Sequence, residues 1–257
     1  LYALNRPMLE AFYAAGVRHL VLPVESGSEK VLRKQMRKPL KFRISERVAN
    51  DCRDLGIYTN ANLIIGMPVE TKADMKEGLR NLRKVKSNWF NIACASPLVG
   101  SEMHDLAVEK GYIKESTMGS DFHHAVIETE DFTREYIQQM EYTMNLELNF
   151  VYNNDMEAGE YALALRGFLN VLRVRPDHAF AYYFAATCYA RLGNWKEFDE
   201  YRKLFIEYSE TTYWKAYCDN YNLSLEKLDA VTKEDRPAPD NFTGRGPDNR
   251  LAFKYGP

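Results

Sequence analysis

The chain has 257 residues, of which 46% are hydrophobic, so it is long enough to bury the cores of one large or two small domains. Its 34 basic and 36 acidic residues give a net charge of -2, which argues against a protein that binds nucleic acid or other polyanions by charge alone. No apolar run is long enough to cross a bilayer and no signal peptide is recognisable, so we expect a cytoplasmic protein without a membrane partner.

The four cysteines are widely separated and form neither a CxxC pair nor a zinc-binding pattern. The sequence therefore predicts no metal site and indicates buried, reduced thiols. The chain begins with Leu1 rather than methionine, and we expect it to be a fragment of a longer protein.

Strands and helices alternate in the first part of the chain. Short runs rich in Leu, Val and Ile predict strands over 19–24, 57–65 and 89–95. Apolar residues at helical spacing, with capping residues or glycines at the ends, predict helices over 7–16, 29–37, 44–56, 71–82 and 101–110. Ser28 is expected to cap the second of these helices, and Thr71 with Asp74 to form a capping box for the fourth.

This alternation is typical of an α/β fold whose parallel strands are joined by right-handed crossovers. Three strands are too few to close a (β/α) barrel, so we expect further barrel strands upstream. Such folds bind ligands at the carboxyl ends of their strands, and polar residues that follow the strands are therefore candidates for a site.

The second part of the chain is predicted to be all-α. Similar residues recur 34 positions apart, as at Gly159 and Gly193, and this period is typical of the tetratricopeptide repeat, a helix pair. We expect a tetratricopeptide-like helical domain over 131–231, which includes a capping helix over 213–228. Residues 232–257 are predicted to be a disordered tail.

Charged and small residues follow the first predicted strand. Glu25 and Ser26 come directly after it, and a carboxylate there can accept protons from two ribose hydroxyls. Gly27 allows a ligand to approach the backbone, and Arg37 can bind a carboxylate through two hydrogen bonds. The competing interpretation is a surface ion pair between Glu25 and Arg37, and the residues alone favour neither.

Asn62 lies within the apolar run of the second strand, where a polar side chain costs free energy unless it finds a partner. Ile64, two residues further on, faces the same side of the sheet. Asn62 is therefore either part of a ligand site or bonded to the backbone, and both alternatives stay open.

Three segments, in this order, resemble motifs of radical S-adenosylmethionine (SAM) enzymes. They are Glu25-Ser26-Gly27-Ser28 followed by Arg37, then Asn62-Leu63-Ile64-Ile65-Gly66-Met67-Pro68, and finally CASPLVGSE over 94–102. The resemblance covers residues 1 to about 112 and implies that residues 1–130 are the second half of a partial (β/α) barrel. It implies a SAM site that contains Glu25, Ser26, Arg37, Asn62, Ile64 and Gly66.

The resemblance also implies individual roles. Glu25 and Asn62 would bind the ribose of SAM, Arg37 would bind the methionine carboxylate, and Ile64 would pack on the adenine. It identifies no catalytic residue and no substrate in this chain.

Radical SAM enzymes hold a [4Fe–4S] cluster with a CxxxCxxC motif, which this chain lacks. The resemblance therefore implies that the cluster ligands lie outside this chain, that the chain alone is inactive, and that a longer parent protein is the enzyme. The segment TEDFTREYIQQM over 129–140 and the helical tail resemble the cobalamin-binding subgroup, many of whose members transfer methyl groups. A cobalamin domain is accordingly expected upstream.

The remaining candidate residues favour structural roles. His123 and His124 more often mark a polar loop than a metal or substrate site. Four aromatic residues are expected in the core of the repeats rather than in a peptide groove: Tyr182, Tyr183, Phe184 and Tyr189. The alternative function is a non-catalytic module that recruits a protein partner through its repeats and whose barrel part is a degenerate remnant.

Overall fold

The computed structural model describes residues 1–38, 40–113 and 122–235 of the chain. Within these ranges the protein is a helix-rich α/β structure with one sheet of three parallel strands in the order β1-β2-β3. The strands are β1 His19–Glu25, β2 Tyr58–Ile65 and β3 Trp89–Cys94. The three predicted strands are confirmed, whereas a partial barrel stays a prediction.

The described residues before 114 form five helices. These are α1 Arg6–Ala14, α2 Glu29–Lys34, α3 Phe42–Asp54, α4 Lys72–Leu82 and α5 Glu102–Glu109. The capping box of α4 is confirmed, because the Asp74 N–H donates to Thr71 Oγ1 at 3.1 Å and the Thr71 N–H donates to the Asp74 carboxylate at 3.0 Å. Helix α2 ends at Lys34, before the predicted boundary, and Arg37 beyond it has a left-handed backbone, with φ 50°.

The two faces of the sheet differ in what covers them. Alternate strand residues such as Leu22 and Leu63 are buried against the helices. The residues between them are partly or fully exposed on the other side, which we call the open face. Its members are Val21, Pro23, Asn60, Asn62, Ile64, Asn91 and Ala93.

From residue 122 onwards, the regular structure among the described residues is helical. A π-helical turn over Glu147–Val151 follows the first of these helices. The helices are α6 Arg134–Leu146, α7 Asn154–Glu157, α8 Tyr161–Val174, α9 Ala179–Arg191, α10 Trp195–Ser209, α11 Thr212–Asn220 and α12 Leu225–Asp235. None of the described helices has the length and hydropathy needed to cross a membrane.

The end of the helical part differs from the sequence prediction. The single capping helix expected over 213–228 is two helices, α11 and α12, because Asn222 adopts a left-handed backbone between them, with φ 52°. Helix α12 continues through 232–235, and the rest of the predicted tail lies outside the described residues. The tetratricopeptide assignment stays a prediction.

Buried apolar residues form two clusters. The first contains the covered face of the sheet together with Ile137, Met140 and Met144 of α6. The second begins with Leu146 and Phe150 and continues through α8 to α12. The sequence placed α6 in the helical domain, but its apolar stripe packs on the sheet. The predicted domain boundary at 130/131 stays a prediction.

Buried asparagines join the helical part to the edge of the sheet where β3 begins. Asn149 accepts the Phe90 N–H at 2.8 Å and donates to the Phe90 carbonyl at 2.9 Å. Asn154 donates to the carbonyls of Val85 and Ser87 at 3.0 and 2.8 Å. These contacts lie at the opposite edge of the sheet from the carboxyl ends of the strands, where the candidate site is found.

Candidate functional site

The site residues predicted on β1 and β2 lie side by side in the sheet. Pro23 of β1 is opposite Asn62 of β2, and Glu25 is opposite Leu63. Asn62 and Ile64 belong to the open face, and Glu25 pairs with Leu63, the residue between them, at the bulge that ends β1. A ligand on this face would therefore meet residues from both strands.

Glu25 ends β1 at a bulge, where the pairing with β2 skips one residue. Its backbone is left-handed, with φ 68°, which is uncommon for a residue other than glycine. The side chain is half-buried, and Oε1 accepts a hydrogen bond from Lys38 Nζ at 2.7 Å. The alternative of an ion pair between Glu25 and Arg37 is therefore wrong, because Glu25 pairs with Lys38.

Arg37 lies on the exposed loop after α2 and pairs with Glu102 at 2.7 Å. Glu102 begins α5, which follows β3, so this ion pair spans the edge of the sheet at its carboxyl end. Both side chains are 75% exposed, and such a pair contributes under about 1 kcal/mol. The carboxylate of a ligand can therefore replace Glu102 on Arg37 at little cost.

A cavity of about 470 Å³ lies beside Arg37, between α2 and α5. Its lining includes the cations Lys30, Lys34 and Arg37 and the apolar residues Val69, Met103 and Leu106. Asp74 holds Lys30 at 2.7 Å, and Glu102 holds Arg37. Positive charge next to apolar surface suits a ligand that carries both an anionic group and an apolar part.

The turn Ser26-Gly27-Ser28 connects β1 to α2. Ser26 Oγ accepts the Ser28 N–H at 3.1 Å, which holds the turn together. A Cβ atom at Gly27 would lie 2.7 Å from the Cα atom of Gly78 in α4, and Asn81 Nδ2 donates to the Gly27 carbonyl at 3.0 Å. The structure thus gives Gly27 a packing role against α4, whereas the sequence suggested room for a ligand.

Asn62 finds its partner in a side chain rather than in the backbone. Its Oδ1 accepts a hydrogen bond from Asn91 Nδ2 at 3.0 Å, so the backbone-bonded alternative is wrong. Asn91 is directly opposite Asn62 in the β2–β3 register, and Ile64 is opposite Ala93. The sequence analysis missed Asn91, although it is a polar residue inside an apolar strand, the same signal that identified Asn62.

Gly66 follows β2 in a turn that Glu70 stabilises. The N–H groups of Gly66 and Met67 donate to Glu70 Oε2 at 2.7 and 3.2 Å. Glu70 is 2% exposed, and this burial raises its pKa to about 7, although the two N–H donors favour its ionised form. The sequence analysis missed Glu70, whose signal is a lone carboxylate directly before the Thr71 cap.

Because of Glu70, the free energy of unfolding should decrease as the pH rises. The pKa of Glu70 is about 7 in the folded chain, compared with an ordinary value of 4.5 that applies when the chain is unfolded. The stabilisation that this difference provides is fully present below pH 4.5 and is lost as the pH rises through 7. The loss amounts to about 3 kcal/mol in the free energy of unfolding. Glu70→Gln keeps an acceptor for the turn and should remove this slope.

Denaturant unfolding of both proteins at pH 4.5, 7 and 8 measures this difference. Burial lowers the pKa of His178 to about 3, which gives a slope of the opposite sign, but it is common to both proteins and cancels. Parallel pH profiles for the two proteins would contradict the prediction.

The four cysteines are buried thiols, as the sequence predicted. Burial raises the pKa of Cys52 to about 11 and that of Cys188 and Cys218 to about 12, so these thiols stay protonated at neutral pH. Among the described residues, no group of three His, Cys, Asp or Glu side chains is placed to hold a metal ion. The residues of this chain therefore do not fit a [4Fe–4S] cluster.

His123 and His124 lie in an irregular segment beside the end of β3. The Phe122 carbonyl accepts the Cys94 N–H at 2.8 Å, and Gln138 Nε2 donates to the His123 carbonyl at 2.8 Å. Both histidines are exposed, as expected for a polar loop. Farther along the chain, Tyr182, Tyr183 and Phe184 are buried and Tyr189 is half-buried, as expected for a core.

Similarity to known proteins is confined to part of the chain, and no family model matches it. The chain is 24% identical over 119 residues to a cytidylyl-2-hydroxyethylphosphonate methyltransferase of Streptomyces wedmorensis. The aligned region covers 44% of this chain and 22% of that protein. It is 38% identical over 71 residues to a tRNA-2-methylthio-N(6)-dimethylallyladenosine synthase of Thermoanaerobacter sp. (strain X514). The aligned region covers 26% of this chain and 15% of that protein.

The protein of the same name in Thermoanaerobacter pseudethanolicus shows the same identity and coverage. The chain thus spans about a fifth or less of the length of the curated relatives that it matches. These weak, partial similarities suggest that the chain is related to the radical SAM family.

Proposed function

We propose that this chain contributes part of the SAM site of a radical SAM enzyme. The proposal rests on one structural observation above the others. Three non-glycine residues in the described part of the chain have a left-handed backbone, and two of them are Glu25 and Arg37. These are the two charged residues to which the sequence resemblance assigns the ribose and the carboxylate of SAM.

A left-handed backbone costs a non-glycine residue about 1–2 kcal/mol, and glycine would avoid this cost. Backbone strain of this kind clusters at ligand sites, where a side chain must take a direction that the relaxed backbone does not give. The partners of Glu25 and Arg37 are mostly exposed, so the ion pairs that they form contribute little stability in return. A ligand that both side chains bind accounts for the strain.

Each proposed contact uses an atom that the structure makes available. Glu25 would accept hydrogen bonds from the ribose hydroxyls, and Asn62 would donate to the same ribose. Arg37 would bind the methionine carboxylate through its guanidinium, and Ile64 would pack on the adenine. Ser26 and Gly66 would shape the two turns beside these contacts. Bound SAM would supply the methyl or radical chemistry, and the parent protein would supply the cluster ligands.

Two finer parts of the proposal concern the whole protein. The relatives' names describe methyl and methylthio chemistry, which supports a methyl-transferring enzyme. The cobalamin-dependent subgroup rests on the resemblance of 129–140 and the helical tail. The competing proposal is a binding module with a degenerate barrel part, and it predicts no affinity for SAM.

Replacing Glu25 with glycine separates a ligand role from a structural one. If the strain serves a ligand, Glu25→Gly should leave the free energy of unfolding unchanged or raise it by up to about 1 kcal/mol, because strain relief offsets the added chain entropy. The same variant should lose most of its affinity for S-adenosylhomocysteine, measured by calorimetry.

Asn222→Gly is the matched control, because it relaxes the third left-handed residue, which lies in the helical part. It should leave binding unchanged. These binding measurements use the full-length parent protein with its cluster, because this chain supplies only part of the site. A wild-type parent without affinity for S-adenosylhomocysteine, or a Glu25→Gly variant that binds normally, would contradict the proposal.

A further inference from the structure

Asn62 and Asn91 form an amide pair across two strands of the open face. They are directly opposite each other in the register of β2 and β3, and Asn91 Nδ2 donates to Asn62 Oδ1 at 3.0 Å. Both side chains are exposed, so the pair is accessible from the side on which a ligand would lie.

The hydrogen bond fixes which way the Asn62 amide faces. An asparagine side chain has one acceptor oxygen and one nitrogen with two donor hydrogens, on opposite sides of the amide group. Because the Asn62 oxygen faces Asn91 on β3, its Nδ2 atom is directed away from β3, towards the side of β1. Glu25 lies on that side and, when ionised, can only accept hydrogen bonds.

We infer that Asn91 is a positioning residue that makes the site selective for the vicinal diol of a ribose. Each ribose hydroxyl has one proton to donate and lone pairs that accept. The Glu25 carboxylate accepts the hydroxyl protons, and the Asn62 amide, held by Asn91, donates to a hydroxyl oxygen. This inference deepens the proposed function and rests on it.

Reversing the direction of the hydrogen bond between Asn91 and Asn62 tests the inference. In Asn91→Asp the new carboxylate only accepts, so Asn62 must donate to it and present its oxygen to the ligand. That oxygen and Glu25 would then compete for the same hydroxyl protons. We expect the affinity for S-adenosylhomocysteine to fall about tenfold, as for the loss of one hydrogen bond that leaves a partner unsatisfied.

Asn60→Asp is the matched control. It adds the same charge on the same face of β2, two residues before Asn62, where Asn60 Oδ1 is buried and has no hydrogen-bond partner among the described residues. The affinity of this variant for S-adenosylhomocysteine should change by less than about threefold, because the substitution leaves the hydrogen bond between Asn62 and Asn91 in place. Thermal unfolding of both variants verifies that they fold.

The ligand supplies a second control, because the 2′-deoxy analogue of S-adenosylhomocysteine lacks one hydroxyl. Asn91→Asp should weaken binding of the ribose ligand more than binding of the deoxy analogue. Equal losses for both ligands, or unchanged binding of both, would overturn the positioning role while leaving the proposed function intact. A wild-type parent protein, loaded with its cluster, that binds neither ligand would overturn both.

Discussion

Gly27→Ala is expected to lower the free energy of unfolding by about 3 kcal/mol, at the upper end of what overpacking costs. The added Cβ atom would lie 2.7 Å from both the Cα atom and the carbonyl carbon of Gly78. These are backbone atoms, so no side chain can rotate to make room, and either the turn after β1 or helix α4 has to move. Denaturant unfolding of the variant and the wild type measures the loss.

Gly78→Ala is the control for this prediction, because the two glycines face each other. A Cβ atom at Gly78 meets the backbone of Gly27 at 3.6 Å or more, which is ordinary van der Waals contact. Gly78 lies inside helix α4, where alanine is favoured over glycine by about 1 kcal/mol. The Gly78 variant should therefore be as stable as the wild type or more so. Equal losses in the two variants would contradict this account of the packing.

Asp155→Ala is expected to cost about 3 kcal/mol, because it leaves a largely buried cation without its main partner. Asp155 Oδ1 accepts from Arg53 Nη2 at 2.6 Å and from Asn88 Nδ2 at 2.7 Å, and the Asp155 side chain is 2% exposed. Glu160 also contacts Arg53, but it is itself exposed and compensates only in part. The loss should appear in the free energy of unfolding of the whole chain, because the network joins α7 to the sheet.

Glu157→Ala separates burial from charge in the same short helix. Glu157 pairs with Lys86 at 2.6 Å, so it also links α7 to the first part of the chain. Both side chains of this pair are well exposed, and such pairs contribute under about 1 kcal/mol. A cost for Glu157→Ala as large as that for Asp155→Ala would show that charge removal, rather than burial, sets the effect.

The secondary structure of the first part was predictable because its signals are local. The strands are apolar runs bounded by turn residues, and the box of Thr71 and Asp74 is formed within four residues. The apolar stripe of α6 likewise predicted a helix. That stripe could not show which surface the helix would cover, because packing on the sheet depends on contacts distant in sequence.

The geometry of the candidate site was predictable only in part. The sequence identified Glu25 and Arg37 as charged residues near strand ends, but their left-handed backbones depend on the bulge in β1 and on the early end of α2. The partner of Asn62 depends on the register of strands whose paired residues are 29 positions apart. Glu70 was missed because its partners are backbone N–H groups, which every sequence contains.

The most direct test of the SAM-site proposal is a calorimetric titration of SAM into the full-length parent protein, reconstituted with its cluster, as wild type, Arg37→Lys and Arg37→Ala. A guanidinium binds a carboxylate through two parallel hydrogen bonds, whereas lysine offers a flexible point charge. Arg37 is 75% exposed in this chain, and a carboxylate bound in the complete site would desolvate it. Removing one partner of such a desolvated pair costs ~2–5 kcal/mol, so Arg37→Ala should raise the dissociation constant at least tenfold, with Arg37→Lys in between. Arg33→Ala removes an exposed arginine from the same helix α2 and should leave binding unchanged. Equal affinity of the wild type and Arg37→Ala would contradict the proposed SAM site.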